Sequence, residues 1–337
     1  MHTSNIQNLR QLEPLGYNLQ CNERPIAMIY ESYRKYSMYY ILLFREIGSM
    51  YFRGNMLDFS ADKTDIRSIK KYINGNEIEN YIAANISANK KMLFFSDHFW
   101  NREYPSYYQI KHYKHPLLLQ AINDKEVIII DEDIERISRE GNKYYSWPYV
   151  EKKLELKEFE KICRQWTNNN SIMQYEVLEF STYNTSAVCL EDIISDYLEM
   201  IKYIKDNFLV SDQKFYDVIK NHVINEETNL ITERGLRYIY NHTKAINRQY
   251  RLFLLILQDR EKQYEELYNY GKDIKDLYEM YYLLALKNKK INDDMWKMTE
   301  KIYLVEKRFY NFLFAIVTDK SVKILLKDYA SASKKYF

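Results

Sequence analysis

Three residues of this chain have the types and the order for nucleophilic acyl chemistry: Cys21, His115 and Asp131. In such a set a thiolate attacks a thioester or amide carbonyl and an imidazole takes and returns the proton. A carboxylate fixes the imidazole's tautomer and steadies its charged form. Cys21 stands in Leu19-Gln20-Cys21-Asn22-Glu23-Arg24-Pro25, ahead of a stretch where Ile26, Ile29, Tyr30 and Tyr33 recur at helical spacing. Pro25 belongs in a first turn, where its missing N–H costs nothing, so the helix opens between Asn22 and Pro25. The thiol then lies at the positive end of a helix dipole, which favours thiolate over thiol. Glu23 opposes this effect and Arg24 partly offsets Glu23.

The other two residues need a hairpin. The runs from His115 to Ile122 and from Val127 to Asp131 are apolar on both faces and are joined by Asn123-Asp124-Lys125-Glu126. They read as two strands central in a sheet. His115 opens the first strand and Asp131 closes the second. With a loop of 123–125, Asp133 falls directly opposite His115 and Asp131 on the diagonal of the same face. Asp131, still within the apolar strand, is preferred, and Asp133 is the alternative. Met92 to Phe95 is a further strand that ends in Ser96-Asp97-His98-Phe99-Trp100. Asp97 and Trp100 at its C-terminal edge should border the same cleft. His98 either lines that pocket or packs as a structural histidine.

Around this hairpin, residues from Asp65 to Ile73 and from Ile78 to Asn89 read as two short amphipathic helices about an Asn74-Gly75-Asn76 turn. Leu156, Phe159, Ile162, Cys163 and Trp166 form one more helix, with Cys163 in the core, and Tyr175 to Phe180 is a last strand. Cys189 also precedes a helix and is the rival nucleophile, but no His and Asp follow it in the right order. His112, His115, Asp97 and His98 are types that ligate metals. No period places both ligands of His-x-x-His on one face, and no metal is expected.

From Leu190 onward the pattern is helical. Ile193, Tyr197, Met200, Ile201 and Ile204 form one stripe, and Phe215, Val218, Ile219 and Val223 another. Apolar residues from Tyr250 to Tyr281 keep nearly a 3.5 period, interrupted at Arg260 and Gly271. That suggests a coiled-coil-like helix or a helical hairpin bent at one of them. Trp296, Ile302, Tyr303, Phe309, Phe312, Leu313 and Ile316 close the bundle. The expected organisation is therefore α+β, with a mixed domain over 1–185 and an all-α domain over 186–337 that covers the cleft or forms an interface.

Composition bounds the partners. With 49 Lys+Arg against 47 Asp+Glu the net charge is +2, so no global field selects nucleic acid or an anionic membrane. Short lysine runs such as Lys287-Asn288-Lys289-Lys290 read as solvated loops. Three widely spaced cysteines argue against a disulfide framework and for a reducing compartment. The polar start lacks a signal peptide's apolar core, and the longest apolar run, Met38 to Phe44, is too short to span a bilayer. The expectation is a cytoplasmic protein without a nucleic-acid or membrane partner. The 34 tyrosines beside 7 glycines and 5 prolines promise long regular elements, and the Tyr, Ile, Lys and Asn richness fits an AT-rich coding sequence. Tyrosine-rich helices also suit an interface, and a homodimer through the helical domain is a candidate.

Gln20-Cys21 before a helix, Asp97-His98-Phe99-Trp100 after a strand, Tyr107-Tyr108, His115 leading an apolar strand and Asp131 together resemble the butirosin-biosynthesis acyltransferase family. The helical remainder, with Trp296 and Glu306 in its last helices, is similar to that family's C-terminal part. The likeness is a pattern of spaced residues over most of the chain. It implies a papain-like cysteine-peptidase fold for the N-terminal domain and a Cys21–His115–Asp131 triad. The implied reaction moves an acyl group from a carrier-protein thioester to an amine in bacterial natural-product biosynthesis. No cofactor is implied beyond the phosphopantetheine arm of an acyl or peptidyl carrier protein, and the acceptor is an amine-bearing small molecule. Asp97, His98, Trp100 and Tyr108 would line the substrate pocket. A thioesterase, amidase or peptidase on the same fold, or a non-catalytic scaffold of a biosynthetic assembly, is the alternative. Two positions depart from related cysteine peptidases: Asn22 replaces the small residue after the nucleophile, and Leu15 replaces the glutamine six residues before it. The oxyanion would then be held by the Cys21 N–H with a nearby amide, Gln20 or Asn18, and one lost donor costs about 10²–10³ in rate.

Overall fold

Strands that are apolar on both faces need cover on both faces, and the His115 hairpin finds it at the centre of a sheet. The structure, a computed structural model, describes residues 2–3, 23–44, 62–123, 125–133, 149–163, 174–225, 228, 230–233, 235–236, 239, 242, 265–288 and 292–319. The described residues fall into two compact units. The first runs to Val188, apart from Leu42–Phe44, which belongs with the second; the rest of the second starts at Cys189. Both helix and sheet are present, and the class is α+β.

In the first unit, seven described strands form one antiparallel sheet: β1 (His2–Thr3), β2 (Ile66–Asn74), β3 (Lys91–Asp97), β4 (Lys114–Ile122), β5 (Glu126–Glu132), β6 (Tyr149–Glu155) and β7 (Gln174–Thr182). Their spatial order is β2-β7-β3-β4-β5-β6, with β1 added at the end of β4. Three helices accompany them in the described chain, α1 (Glu23–Tyr33), α3 (Ile78–Ser87) and α4 (Leu156–Cys163), together with the first four residues of α2 (Met38–Phe44).

Side chains alternate across a strand, so each face has its own cover. On the first face Phe94, Leu117, Leu119, Val127 and Ile129 pack against Ile82 of α3 and against Phe159 and Cys163 of α4. The second face meets α1. The Tyr30 ring stands edge-on to Phe180, centroids 6.4 Å apart. The Tyr33 hydroxyl accepts the Lys91 N–H at 2.8 Å and lies 2.8 Å from the Phe180 carbonyl and 3.0 Å from that of Asn89. One phenol thus fastens the end of α1 to two neighbouring strands.

The stretch from Asp65 to Ile73, expected as a helix, is strand β2. The spacing of Ile66, Ile69 and Ile73 imitates a helical stripe. A nine-residue helix is marginal alone, whereas β7 offers a pairing edge along the whole segment, from Ile66 opposite Thr182 to Asn74 opposite Gln174. Cross-strand ion pairs reinforce the choice: Lys70 with Glu176 at 2.7 Å and Lys71 with Glu179 at 3.0 Å. Strand β6 closes the other side of the sheet. Among the described residues Tyr36, Asp65, Asn89 and Gln109 are left-handed without being glycine, with φ of 68°, 56°, 55° and 54°.

The second unit contains α5 (Leu190–Asn207), α6 (Asp212–Val223), a small hairpin of β8 (Ile224–Asn225) and β9 (Leu230–Ile231), α7 (Glu265–Asn288) and α8 (Asp293–Thr318). The stripes read from the sequence are the buried faces of α5, α6 and α8, with Trp296 and Phe312 only half-buried. Helix α7 runs through Gly271 without a break. Arg260, the other proposed bend, lies outside the described residues, and the β8–β9 hairpin was not expected. Asn292 caps α8, its side chain accepting the Met295 N–H. Fully buried Glu306 accepts the Tyr278 hydroxyl at 2.5 Å and lies 3.0 Å from His242 Nε2. No described helix is long and apolar enough to cross a membrane.

Candidate active site

Pairing of Leu118 with Ile130 and of Leu119 with Ile129 sets the hairpin register, with a bulge between Leu119 and Ala121. Continuing that register puts Asp133 opposite His115 and Asp131 one pair inward on the same face. The short diagonal is the one used: His115 Nε2 lies 2.9 Å from Asp131 Oδ1, with the side chains 2% and 1% exposed.

Strand β6 supplies a third member. Lys152 Nζ donates to Asp131 Oδ2 at 3.0 Å and to Glu103 Oε2 at 2.5 Å. The Tyr104 hydroxyl lies 3.3 and 3.2 Å from the two Asp131 oxygens and donates to the carboxylate. Burial works to raise the Asp131 carboxyl, but the hydrogen bond and charge of His115, followed by those of Lys152, outweigh it and hold the pKa at about 2. Burial first, and then the Asp131 charge, push the Tyr104 phenol far up, so it stays a donor. Asp131 is therefore a fixed anion with hydrogen bonds on both oxygens. A buried anion is stable only when paired in this way.

His98 completes the cluster from the end of β3. It is 2% exposed, stacks on Tyr104 with centroids 3.5 Å apart, and its ring lies 4.6 Å from that of His115. Among the described residues neither of its ring nitrogens has a hydrogen-bond partner. Burial, and then the nearby His115 charge, push its pKa down to about 3, which keeps the ring neutral.

The other proposed pocket residues divide. Trp100 packs against the first-face core. Asp97 organises the loop after β3: Oδ1 accepts the N–H groups of Phe99 and Tyr113 at 3.0 and 3.1 Å, and Oδ2 meets His112 Nδ1 at 2.5 Å. Tyr108 is half-exposed and accepts a hydrogen bond from Arg102 Nε at 3.3 Å. These contacts set Asp97 in a turn and tie Tyr108 to Arg102. Among the described residues no group of three His, Cys, Asp or Glu side chains is placed to hold a metal ion.

Among the described residues helix α1 runs from Glu23, and residues 23–26 are buried. Cys21, Gln20 and Asn18 lie outside the described residues. The Arg24 guanidinium is 6.0 Å from the Tyr149 ring, and Tyr149 pairs with Glu132, so the start of α1 stands at the sheet end that carries His115 and Asp131. The faces differ: α1 covers the second face, while His115 and Asp131 project from the first. A residue just before α1 meets His115 only if the chain passes round the sheet's end. Cys163 is fully buried, and burial first, then Asp131, raise its thiol well above the ordinary value. It is core, as expected. Cys189 is exposed and donates to Glu191 Oε2 at 2.9 Å.

Sequence reasoning missed Lys152, Tyr104 and Glu103. The alternation Val150, Lys152, Leu154 carried a signal for the first, since it places a lysine on the inward row of a strand. Tyr104 and Glu103 are loop residues without periodicity. No protein-family model matches this chain, and no curated protein matches it.

Proposed function

We propose that this chain is a cysteine-dependent acyltransferase whose first unit has a papain-like fold. It would take an acyl group from a carrier-protein thioester onto Cys21 and pass it to an amine. The observation that carries this reading is the buried His115–Asp131 pair. With Asp131 at Nε2, Nδ1 would be the nitrogen that serves the nucleophile. In the first half-reaction Nδ1 takes the Cys21 proton, the thiolate attacks the thioester carbonyl, and the departing carrier thiol receives that proton. In the second the amine attacks the acyl-cysteine, His115 removes the amine's proton, and the Cys21 sulfur leaves. The Cys21 N–H with an amide of Gln20 or Asn18 would hold the oxyanion. Hydrolysis follows the same path with water as the acceptor.

A second reading, a binding module of a biosynthetic assembly, is favoured by the placement of α1 on the face opposite His115. Intact mass after incubation with an acyl thioester or acyl carrier protein separates the two. An acyl adduct lost in Cys21→Ala and formed about 10²-fold or more slowly in His115→Ala supports catalysis. An adduct confined to Cys189, or none with any thioester, leaves the binding module. Iodoacetamide labelling against pH gives an independent check, because an activated Cys21 reacts well below the ordinary thiol pKa of about 8.5.

A further inference from the structure

Helices α7 and α8 of the second unit lie antiparallel, fixed by Tyr278 on Glu306 at 2.5 Å and by Thr299 with Tyr281 at 3.4 Å. Their outer side is unusually apolar. Met280, Leu283, Leu286 and Leu304 are 51%, 63%, 46% and 48% exposed, the densest set of exposed large apolar side chains on any described helix pair. A groove of about 390 Å³ runs between the two helices over Leu277, Met280, Leu304 and Val305. Asp273 and Asp276 edge it on α7, Lys301 and Arg308 on α8. Each wall carries one sign, and the two walls balance.

We propose that this groove is the contact between two copies of the chain, related by a two-fold axis parallel to α7 and α8. A closed two-fold interface needs a surface that complements itself. Such an axis lays each α7 over the partner copy's α8, so the acidic wall of one copy meets the basic wall of the other. The pairing of Tyr278 with Glu306 sets Arg308 level with the two aspartates, and Lys301 closes the adjoining edge with its long stem. Met280 and Leu304 from both copies then form the core of a four-helix arrangement, a packing that helical pairs with an open apolar seam adopt. An acidic partner such as a carrier protein fits less well, because half of the rim would repel it. The inference stands apart from the acyl-transfer reading and holds for an enzyme or a scaffold.

The experiment is sedimentation of the full chain, with circular dichroism to confirm folding. The native chain should sediment as a dimer at micromolar concentration. The pair of changes Lys301→Glu and Arg308→Glu should raise the dissociation constant about tenfold or more, as should the pair Asp273→Lys and Asp276→Lys. An equimolar mixture of these two variants should dimerise again, since each supplies the charge the other now lacks. Leu304→Asp, which leaves the rim charges alone, should also give monomer. A monomeric native chain, a variant that stays dimeric, or a folded mixture that fails to pair would each overturn the proposal.

Discussion

His98 has no hydrogen-bond partner among the described residues, and burial holds its pKa at about 3 against an ordinary 6.5 inside the candidate site. Its folded pKa is depressed, so the unfolded chain binds the proton first. The neutral ring's contribution is fully present above about 6.5 and is lost as pH falls toward 3, at about 1.4 kcal/mol per pH unit. Urea unfolding between pH 7 and 4 should show this slope in the native chain and lose most of it in His98→Phe; equal slopes would place a charge-accepting partner on His98. Asp131 acts in a lower, partly overlapping window. Its pKa falls from 3.8 to about 2, so its contribution, about 2 kcal/mol, is present above 4 and lost below that. At this scale the sequence was a good guide where residue type and strand position coincide, as for His115 and Asp131. It failed for Tyr104 and Lys152, whose roles depend on which loop and which strand lie beside Asp131.

At the scale of elements, Tyr33 tests how α1 is held. Tyr33→Phe keeps the ring but leaves the buried Lys91 N–H and Phe180 carbonyl short of a partner, which costs about 1–3 kcal/mol. The loss should appear as a lower urea midpoint with an unchanged slope; an unchanged midpoint would mean that water replaces the hydroxyl. Elements with one unambiguous period were legible: the β4–β5 hairpin, α4, α5, α6 and α8. Segment 66–74 was not, because three isoleucines at helical spacing carry the same information as three on a strand whose outer face is partly exposed. What decides between them is the open edge of β7, more than a hundred residues later, and no local window contains it. The same remoteness hides the sheet face on which α1 packs, the fact that bears most on Cys21.

For the whole molecule, two units each bury their own core, and the two described thiols report on them differently. Cys163 is sealed in the first-unit core and Cys189 is exposed at the start of α5. Native-state alkylation followed by peptide mapping should therefore modify Cys189 readily and leave Cys163 untouched until denaturant is added. Native modification of Cys163 would mean that α4 opens locally. A last consequence concerns glycine. The chain has 7 glycines, yet it holds Tyr36, Asp65, Asn89 and Gln109 in left-handed backbone. Such a position strains an L-residue by about 1–2 kcal/mol, least for Asn and Asp, partly offset by the extra freedom glycine would have when unfolded. Glycine substituted at such a position removes that strain. At the exposed Gln109, glycine should raise Tm and valine should lower it, a ranking opposite to that expected for an ordinary loop residue.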